Sequence, residues 1–505
     1  MFERFEFPSS IRTLKQLFTP VEPPKQSNLQ INYMKQTAKI EDPSPKAKHK
    51  RGQTQNFQAS QDQAKVEDPA AAINEPPPIN PNLTQMGELV YLRSELEFKD
   101  QKKETKRDSV LEENLLDVKR LLKTSAFSVQ QVNKDKEEGG EAPEKKQLVK
   151  VNIDPYYVRK GGDDTTIIFE SRFESGNLAA AVKTSPNDYL LLLQNDVNTS
   201  GHTQWFFFRA SNVLCGQVRF NMLNLCKPDS LYNEGMKILV YSEKMAANKD
   251  VGWHRAGTKI GYYNNGLRRS EKAQRSYYTH TFTYNFEHSN DTVYFAYCYP
   301  YTYTDCVEDL NKITSDQIKA QFVQRKVLCE TLAGNKCEIL TITSKQNPEN
   351  IAKRKGVVIT ARVHPGESVG SWMMKGVLDF LTDPNNLEAE LLRQSFVFKI
   401  VPMLNPDGVI NGNYRCSLAG CDLNRRWKAP SKVLHPTIYN TKQMIINFAK
   451  ERELAIFCDF HGHSRRKNIF MYGCQGSTPE DSRLFPFILG ALNPFFIYSD
   501  SRFGN

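Results

Sequence analysis

The chain has 505 residues, and its 67 lysines and arginines against 57 aspartates and glutamates give a formal charge of +10. With 39% hydrophobic residues it can fill the cores of roughly three or four ordinary domains, and no apolar run approaches the ~18 residues of a membrane span. Its start, Met1-Phe-Glu-Arg-Phe-Glu-Phe-Pro8, lacks the basic-then-apolar pattern of a secretory signal, and its 10 cysteines include no C-x-x-C pair, so reduced cytosolic thiols are expected.

Residues 1–149 read as a mostly disordered tail rich in Gln, Lys, Asn and Pro, as in Asn74-Glu-Pro-Pro-Pro-Ile-Asn-Pro81. Such stretches bury too little apolar area to offset ordering entropy. Within the tail, Leu111, Leu115, Val118 and Leu122 recur at helical spacing behind a Ser109/Glu112 capping box, which predicts a helix near 109–123.

Residues 150–305 are rich in aromatics and in short β-type runs. Strands are expected at 165–170, 189–196, 202–210, 217–225, 236–242, 275–286 and 292–300. Tyr278, His280, Phe282, Tyr284 and Phe286 alternate with polar residues, the period of a half-buried strand. This pattern suggests an antiparallel β-sandwich whose aromatics form its core.

From 306 to 505 helices and strands alternate. Helices are expected at 309–325, 369–381 and 437–453, and strands at 336–344, 356–361, 396–403, 454–459 and 495–499. That is an α/β domain with a largely buried sheet. The basic excess sits here: 26 basic against 20 acidic groups over 301–505, and 7 against 2 over 401–450. This is unlike the diffuse basicity of a nucleic-acid-binding tail, so neither nucleic acid nor membrane is expected as a partner.

Three motifs carry chemistry. Arg362-Val-His364-Pro-Gly-Glu367 follows an apolar strand, where ligands bind in α/β sheets, and its imidazole and carboxylate can converge on one metal. By itself it could equally be a turn histidine capped by a carboxylate. Phe457-Cys-Asp-Phe-His461-Gly-His463 again runs from a strand into histidine, and His461, nearer the strand, is selected over His463. With His364 and Glu367 it makes a His₂Glu set with an open fourth position, as in catalytic zinc sites. Asn405-Pro-Asp-Gly through Arg415, Asp422, Asn424, Arg425 and Arg426 is turn-rich and cationic, which suits capture of a carboxylate.

Taken in order, H-P-G-E, N-P-D-G, D-L-N-R and D-F-H-G-H-S resemble the M14-type zinc carboxypeptidases. More narrowly the chain resembles the cytosolic carboxypeptidases that trim glutamates from tubulin, and among them the second and third animal members and their ciliate relatives. Phe169-Glu-Ser-Arg-Phe-Glu-Ser-Gly-Asn177 and Cys298-Tyr-Pro-Tyr-Thr-Tyr303 resemble that family's β-sandwich before the catalytic domain. The resemblance implies an α/β zinc-carboxypeptidase domain, with a mixed sheet flanked by helices, preceded by the sandwich. It implies one Zn²⁺ per chain on His364, Glu367 and His461, with Asp422 hydrogen-bonded to a zinc histidine. Asn424 and Arg425 would grip the substrate's terminal carboxylate, and Arg415 would stabilise the oxyanion. Tubulin or other glutamate-rich tails would be the partners, in the cytoplasm and at the cytoskeleton, cilium or basal body.

The family also needs a general-base glutamate in a Tyr-Thr-x-Glu-like segment, and this sequence has none. Beyond Asp459 its only acidic residues are Glu480, Asp481 and Asp500. The catalytic domain is therefore expected to be truncated at its C-terminus, and the 505-residue chain to hydrolyse poorly. Two alternatives stand beside the enzyme: an inactive zinc-binding module that recognises acidic tails on microtubules, and an aspartoacylase-like amidohydrolase.

Overall fold

A computed structural model describes residues 88–93, 157–269, 275–474 and 478–504. The helix expected near 109–123 lies outside them. In chain order the first strands are β1 (Glu88–Leu92), β2 (Ile168–Glu170), β3 (Leu178–Ser185), β4 (Asp188–Leu193), β5 (Phe207–Ser211) and β6 (Gly216–Leu225). Then come β7 (Ile238–Ser242), helix α1 (Glu243–Lys249), β8 (His254–Ala256), β9 (Thr258–Arg268), β10 (Ser276–Phe286) and β11 (Val293–Ala296).

These strands form two sheets, β1-β3-β4-β6-β10-β9 and β2-β5-β11-β7-β8. On β4, Tyr189, Leu191 and Leu193 enter the core between the sheets, whereas Leu190 and Leu192 join a smaller cluster with Ala180, Val182 and Tyr277. That split is the period-2 alternation of a strand with both faces covered. Between the sheets Phe295 lies 5.3 Å from Phe208 and from Phe220, centroid to centroid, so the expected aromatic core is present.

Among the described strands the sandwich differs from an all-antiparallel one at a single pair, since β4 runs parallel to β6. After β4 the chain crosses to the second sheet as β5 and returns as β6, so the two neighbours point the same way. The sequence reading also placed the sandwich after residue 150, yet β1, from the expected tail, pairs with β3 at the sheet edge.

The second domain contains α2 (Tyr303–Ser315), β12 (Val323–Glu330), β13 (Lys336–Ile342), β14 (Lys355–Ala361), α3 (Ser368–Leu381) and α4 (Leu387–Ser395). It continues with β15 (Phe396–Val401), α5 (Pro406–Ile410), α6 (Pro436–Glu451), β16 (Leu454–Phe460) and α7 (Pro479–Leu492). The helix expected at 309–325 starts earlier and ends sooner. Thr302 and Asp305 form a capping box at its start, and Asp316 is extended at its end, which frees Val323–Glu330 to be a strand. The strand expected at 495–499 is instead a single bridge from Phe496 to Ile469, followed by a 3₁₀ turn.

The sheet order is β12-β13-β15-β14-β16, mixed, with the parallel trio β15-β14-β16 at one side. In that trio Ala361 pairs with Phe460, so the chain leaves β14 and β16 side by side at their carboxyl ends. This register brings the first two motifs together. Among the described residues no helix is long and apolar enough to cross a membrane.

Candidate metal centre

Beyond β14 the backbone turns sharply. Arg362 takes φ +60, a left-handed conformation that costs a non-glycine residue about 1–3 kcal/mol. Its buried guanidinium holds that turn, with Nε donating to Pro365 O (2.7 Å) and Nη1 to Tyr301 O (2.9 Å) and Ser371 Oγ (2.8 Å). Gly366 follows where a Cβ would lie 2.6 Å from Tyr414 Cδ2 and 3.0 Å from Tyr414 backbone atoms, so only glycine passes. Glu367 then occupies the N-cap of α3 without capping it; its carboxylate turns to the histidines instead.

Three side chains converge. His364 Nδ1 lies 3.1 Å from His461 Nδ1 and 3.2 Å from Glu367 Oε1, and His461 Nδ1 lies 3.0 Å from Glu367 Oε2. Each imidazole turns its other nitrogen to a carboxylate, which accepts from it: His364 Nε2 to Asp422 Oδ1 (3.0 Å) and His461 Nε2 to Asp459 Oδ2 (2.7 Å). With Nε2 as donor, each Nδ1 presents a lone pair, and two lone pairs facing one another beside a carboxylate call for a cation between them. Tetrahedral zinc with ~2.0–2.1 Å bonds separates its ligand atoms by about 3.3 Å, close to the spacings observed. Among the described residues this is the one cluster of its kind, so the donor set fits the metal that the sequence implies.

The electrostatics agree. Burial would raise the Glu367 carboxyl, but His364 and His461 outweigh it and hold it well below the ordinary range. Asp422 is likewise held low against burial, by its hydrogen bond and charge interaction with His364 and by Arg415 and Arg425. Burial would lower the His461 imidazole, yet Asp459 and Glu367 hold it up to about 9, so a metal ion that takes its Nδ1 displaces a proton that the same carboxylates favour.

Asp422 also organises the cationic loop. Its Oδ1 accepts from Asn424 N (2.9 Å), while its Oδ2 accepts from Arg415 Nε (2.8 Å) and lies 2.7 Å from Arg415 Nη2. Arg415 Nη1 has no protein partner among the described residues. Asn424 is buried and its Oδ1 accepts from Trp427 Nε1 (2.8 Å), whereas Arg425 and Arg426 are exposed. His463 stays outside the cluster. Residues two apart share a face only while a strand lasts, and β16 ends at Phe460, after which His463 is exposed.

Sequence reasoning missed three contributors. Asp459 stands on β16 two residues before His461, which follows the strand's end, and its Oδ1 accepts from Thr360 Oγ1 (2.7 Å); D-x-H at a strand end was the available signal. Asp196, from the sandwich, accepts from three consecutive amides, Tyr414 N (2.6 Å), Arg415 N (2.7 Å) and Cys416 N (2.7 Å). Burial pushes its carboxyl up to about 6 despite those donors. Lys227, also from the sandwich, reaches Tyr414 and Ser464. No local pattern marks either of these last two.

Residues 313–489 match the family described as zinc carboxypeptidase, and residues 169–298 the family described as cytosolic carboxypeptidase N-terminal domain. The chain is 47% identical over 349 residues to mouse cytosolic carboxypeptidase 3, covering 67% of this chain and 34% of that protein. It is 50% identical over 342 residues to cytosolic carboxypeptidase 2 of Xenopus tropicalis (66% of this chain, 35% of that one). With human cytosolic carboxypeptidase 2 it shares 49% over 335 residues (65% and 37%). The chain thus spans about a third of the length of these relatives. Among solved structures, a metallo-carboxypeptidase from Burkholderia cenocepacia has the same fold, with TM-score 0.54 at 23% identity over 67% of this chain and 83% of that one. The paired sandwich and metal domains, the order of their motifs and these likenesses agree: the chain belongs to the zinc carboxypeptidases, in their cytosolic carboxypeptidase branch.

Proposed function

We propose that this chain is the metal-binding part of a metallocarboxypeptidase that removes C-terminal or side-chain-linked glutamates from tubulin and other acidic protein tails. One observation carries the reading: the His₂Glu cluster lies among cations, with Arg415 Nη2 2.7 Å from Asp422 Oδ2 and Lys227 Nζ 2.6 Å from Ser464 Oγ in the loop of His461. Arg415 and Arg425 act on Asp422, and Lys227 interacts with Glu367, Arg415 and Arg465. An acidic tail complements that field.

One zinc per chain would be held by His364, Glu367 and His461, and when bound it supplies a Lewis acid and an activated water. The residues then divide the remaining work. Arg425, exposed beside the centre, and Asn424 bind the terminal carboxylate, which orients the last peptide bond. Arg415, fixed through Nε and Nη2 on Asp422, offers Nη1 to the scissile carbonyl oxygen. Asp422 and Asp459 hold the histidines in the tautomer that leaves Nδ1 free. Its family suits a cytoplasmic protein, acting at the cytoskeleton, cilium or basal body.

Among the described residues every carboxylate touching the two histidines is committed: Glu367 to both, Asp422 to His364, Asp459 to His461. None of these three is free for general-base work, and turnover that relies on them alone is expected to be slow, by on the order of 100- to 10,000-fold. The same observation favours a second reading, a zinc-dependent reader of acidic tails. The test compares fluorescent peptides that end in glutamates with a free or an amidated C-terminus. Anisotropy measures binding to the zinc-loaded protein, mass spectrometry follows glutamate loss, and both are repeated with a chelator. Chelator-sensitive binding of the free-ended peptide alone is expected. Equal binding of both peptides would sink the proposal, and binding with no glutamate loss at high protein and long times would select the reader.

A further inference from the structure

One cation near the cluster, Lys227, is half-buried and held by specific contacts. Lys227 follows β6 in the sandwich, where its backbone O accepts from Tyr262 Oη (2.6 Å). Its Nζ donates to Tyr414 Oη and to Ser464 Oγ (2.6 Å), and it sits 4.6 Å from the Tyr414 ring centroid. Both acceptors belong to the other domain. They lie on different loops: Tyr414 precedes Arg415 in the segment after β15, and Ser464 lies three residues beyond His461 after β16.

Tyr414 is itself a junction. Its N–H donates to Asp196, and its carbonyl accepts from Gly366 N (2.8 Å), in the turn that carries His364 and Glu367. The lysine thus touches a residue bonded to the first motif, adjacent to Arg415, and a second residue in the loop of the third ligand. Burial pushes its ammonium down to about 8, partly offset by Glu367, a cost that the two acceptors and the ring help to meet.

We propose that Lys227 is a positioning residue lent by the sandwich domain: its ammonium clamps the loop of Arg415 to the loop of His461 and holds the acidic-tail site in its binding arrangement. The inference rests on the acidic-tail reading above. It differs from a general interdomain tether in what it predicts: the two loops and peptide binding respond together, while metal binding and the sandwich core do not.

The test uses the full zinc-loaded chain as wild type, Lys227→Met, Lys227→Arg and Tyr414→Phe. Tyr414→Phe keeps the ring and removes one acceptor, so it serves if Lys227→Met folds poorly. Hydrogen exchange reads the amides of 414–416 and 461–464, with those of β6 and β10 as controls. Anisotropy reads a fluorescent glutamate-ended peptide, and chelator competition reads zinc. For Lys227→Met we expect about tenfold or faster loop exchange, about tenfold or weaker peptide binding, zinc affinity within threefold and unchanged β6 and β10. Lys227→Arg should recover part of both losses, and Tyr414→Phe should show both in milder form.

Weaker peptide binding with unchanged loop exchange would overturn positioning in favour of direct contact. Faster exchange with unchanged binding would reduce the lysine to a tether, and no change in either would remove it altogether. A wild-type chain that binds no peptide would instead refute the acidic-tail reading, while the exchange arm still reports on the clamp.

Discussion

Asp459 gives the sharpest quantitative test of the metal centre. Its carboxylate is 1% exposed and has two acceptor duties, Oδ2 for His461 Nε2 at 2.7 Å and Oδ1 for Thr360 Oγ1 at 2.7 Å. In Asp459→Asn the amide oxygen can still take the His461 proton, and the amide nitrogen can donate to the Thr360 hydroxyl once that hydroxyl rotates. The geometry survives and only the charge is lost. A charge-assisted bond of about 1.5–3 kcal/mol becomes a neutral one of about 0.5–1.5 kcal/mol. The loss is about 1–1.5 kcal/mol, roughly five- to tenfold in zinc affinity.

Asp459→Ala is worse, because it leaves the His461 Nε2–H buried without an acceptor and frees the ring to rotate or change tautomer. That should cost about 2–3 kcal/mol, roughly 30- to 150-fold, at or just above the upper end of what second partners of metal histidines contribute. Competition against a chelator of known affinity at fixed pH and salt measures both, with circular dichroism to confirm folding. The order wild type, Asn, Ala is the essential result. If Asp459→Ala bound zinc within twofold of wild type, or if Asn were the weaker variant, the assignment of Nδ1 as the ligand atom would fail.

Other outcomes follow from the same contacts. Glu367→Gln removes a ligand charge that both histidines stabilise, and zinc affinity should fall by more than the ~10- to 100-fold seen for outer partners, as measured by the same competition. Gly366→Ala drives a Cβ to within 2.6 Å of the Tyr414 ring and 3.0 Å of its backbone, which should destabilise the fold by about 1–3 kcal/mol in denaturant titration and weaken zinc binding. Asp196, held up to about 6, should lose one of its acceptor sites as pH falls through that value, loosening the 414–416 amides, and peptide affinity should drop. The sign separates this from acid unfolding: a folded value above the ordinary 3.8 means that the native chain takes up the proton first, so this group does not reduce stability between pH 6 and 4. Asp196→Asn should already be weak at pH 7 and lack that step, and parallel pH curves for the two proteins would exclude the role.

Much of the catalytic sheet was legible because its strands β13, β14, β15 and β16 are apolar runs ending in motif residues, and their boundaries moved by one or two positions. His364, Glu367, His461 and Asp422 stood in short motifs, and the parallel register of β14 and β16 converts sequence neighbours of strand ends into spatial neighbours. β3 was missed because Leu-Ala-Ala-Ala-Val-Lys-Thr-Ser reads locally as a helix former, and only its pairing with β1 and β4 makes it a strand. β12 was not read as a strand, and its start at 323–325 was drawn into the helix expected at 309–325, because the helical pattern runs on whereas the backbone at Asp316 does not. Asp196 and Lys227 were illegible for a different reason. Their partners lie 218 and 237 residues away, so nothing in their own surroundings distinguishes them from any surface Asp or Lys.

Those two residues bear on why the sandwich precedes the metal domain at all. The ligands need only the ends of β14 and β16, but the cationic loop from Asn405 to Arg425 contains no strand of its own to hold it. The sandwich takes that place. Ser175 N donates to Ile410 O (2.9 Å) and its Oγ to Val409 O (2.8 Å), Asn198 Nδ2 donates to Leu418 O (2.7 Å), and Asp196 collects three amides between them. Gly412 (φ +71) and Gly420 (φ +68) stand where a Cβ would meet sandwich backbone at 2.7 and 2.5 Å. A segment with this many turns would carry a large conformational entropy if left to itself. Arg415 can stay aimed at the centre only if something removes that freedom, and the sandwich spends a buried carboxylate to do so. The sandwich is therefore part of the site, and a sandwich-free catalytic domain should keep its three ligands while losing the fixed arginine beside them.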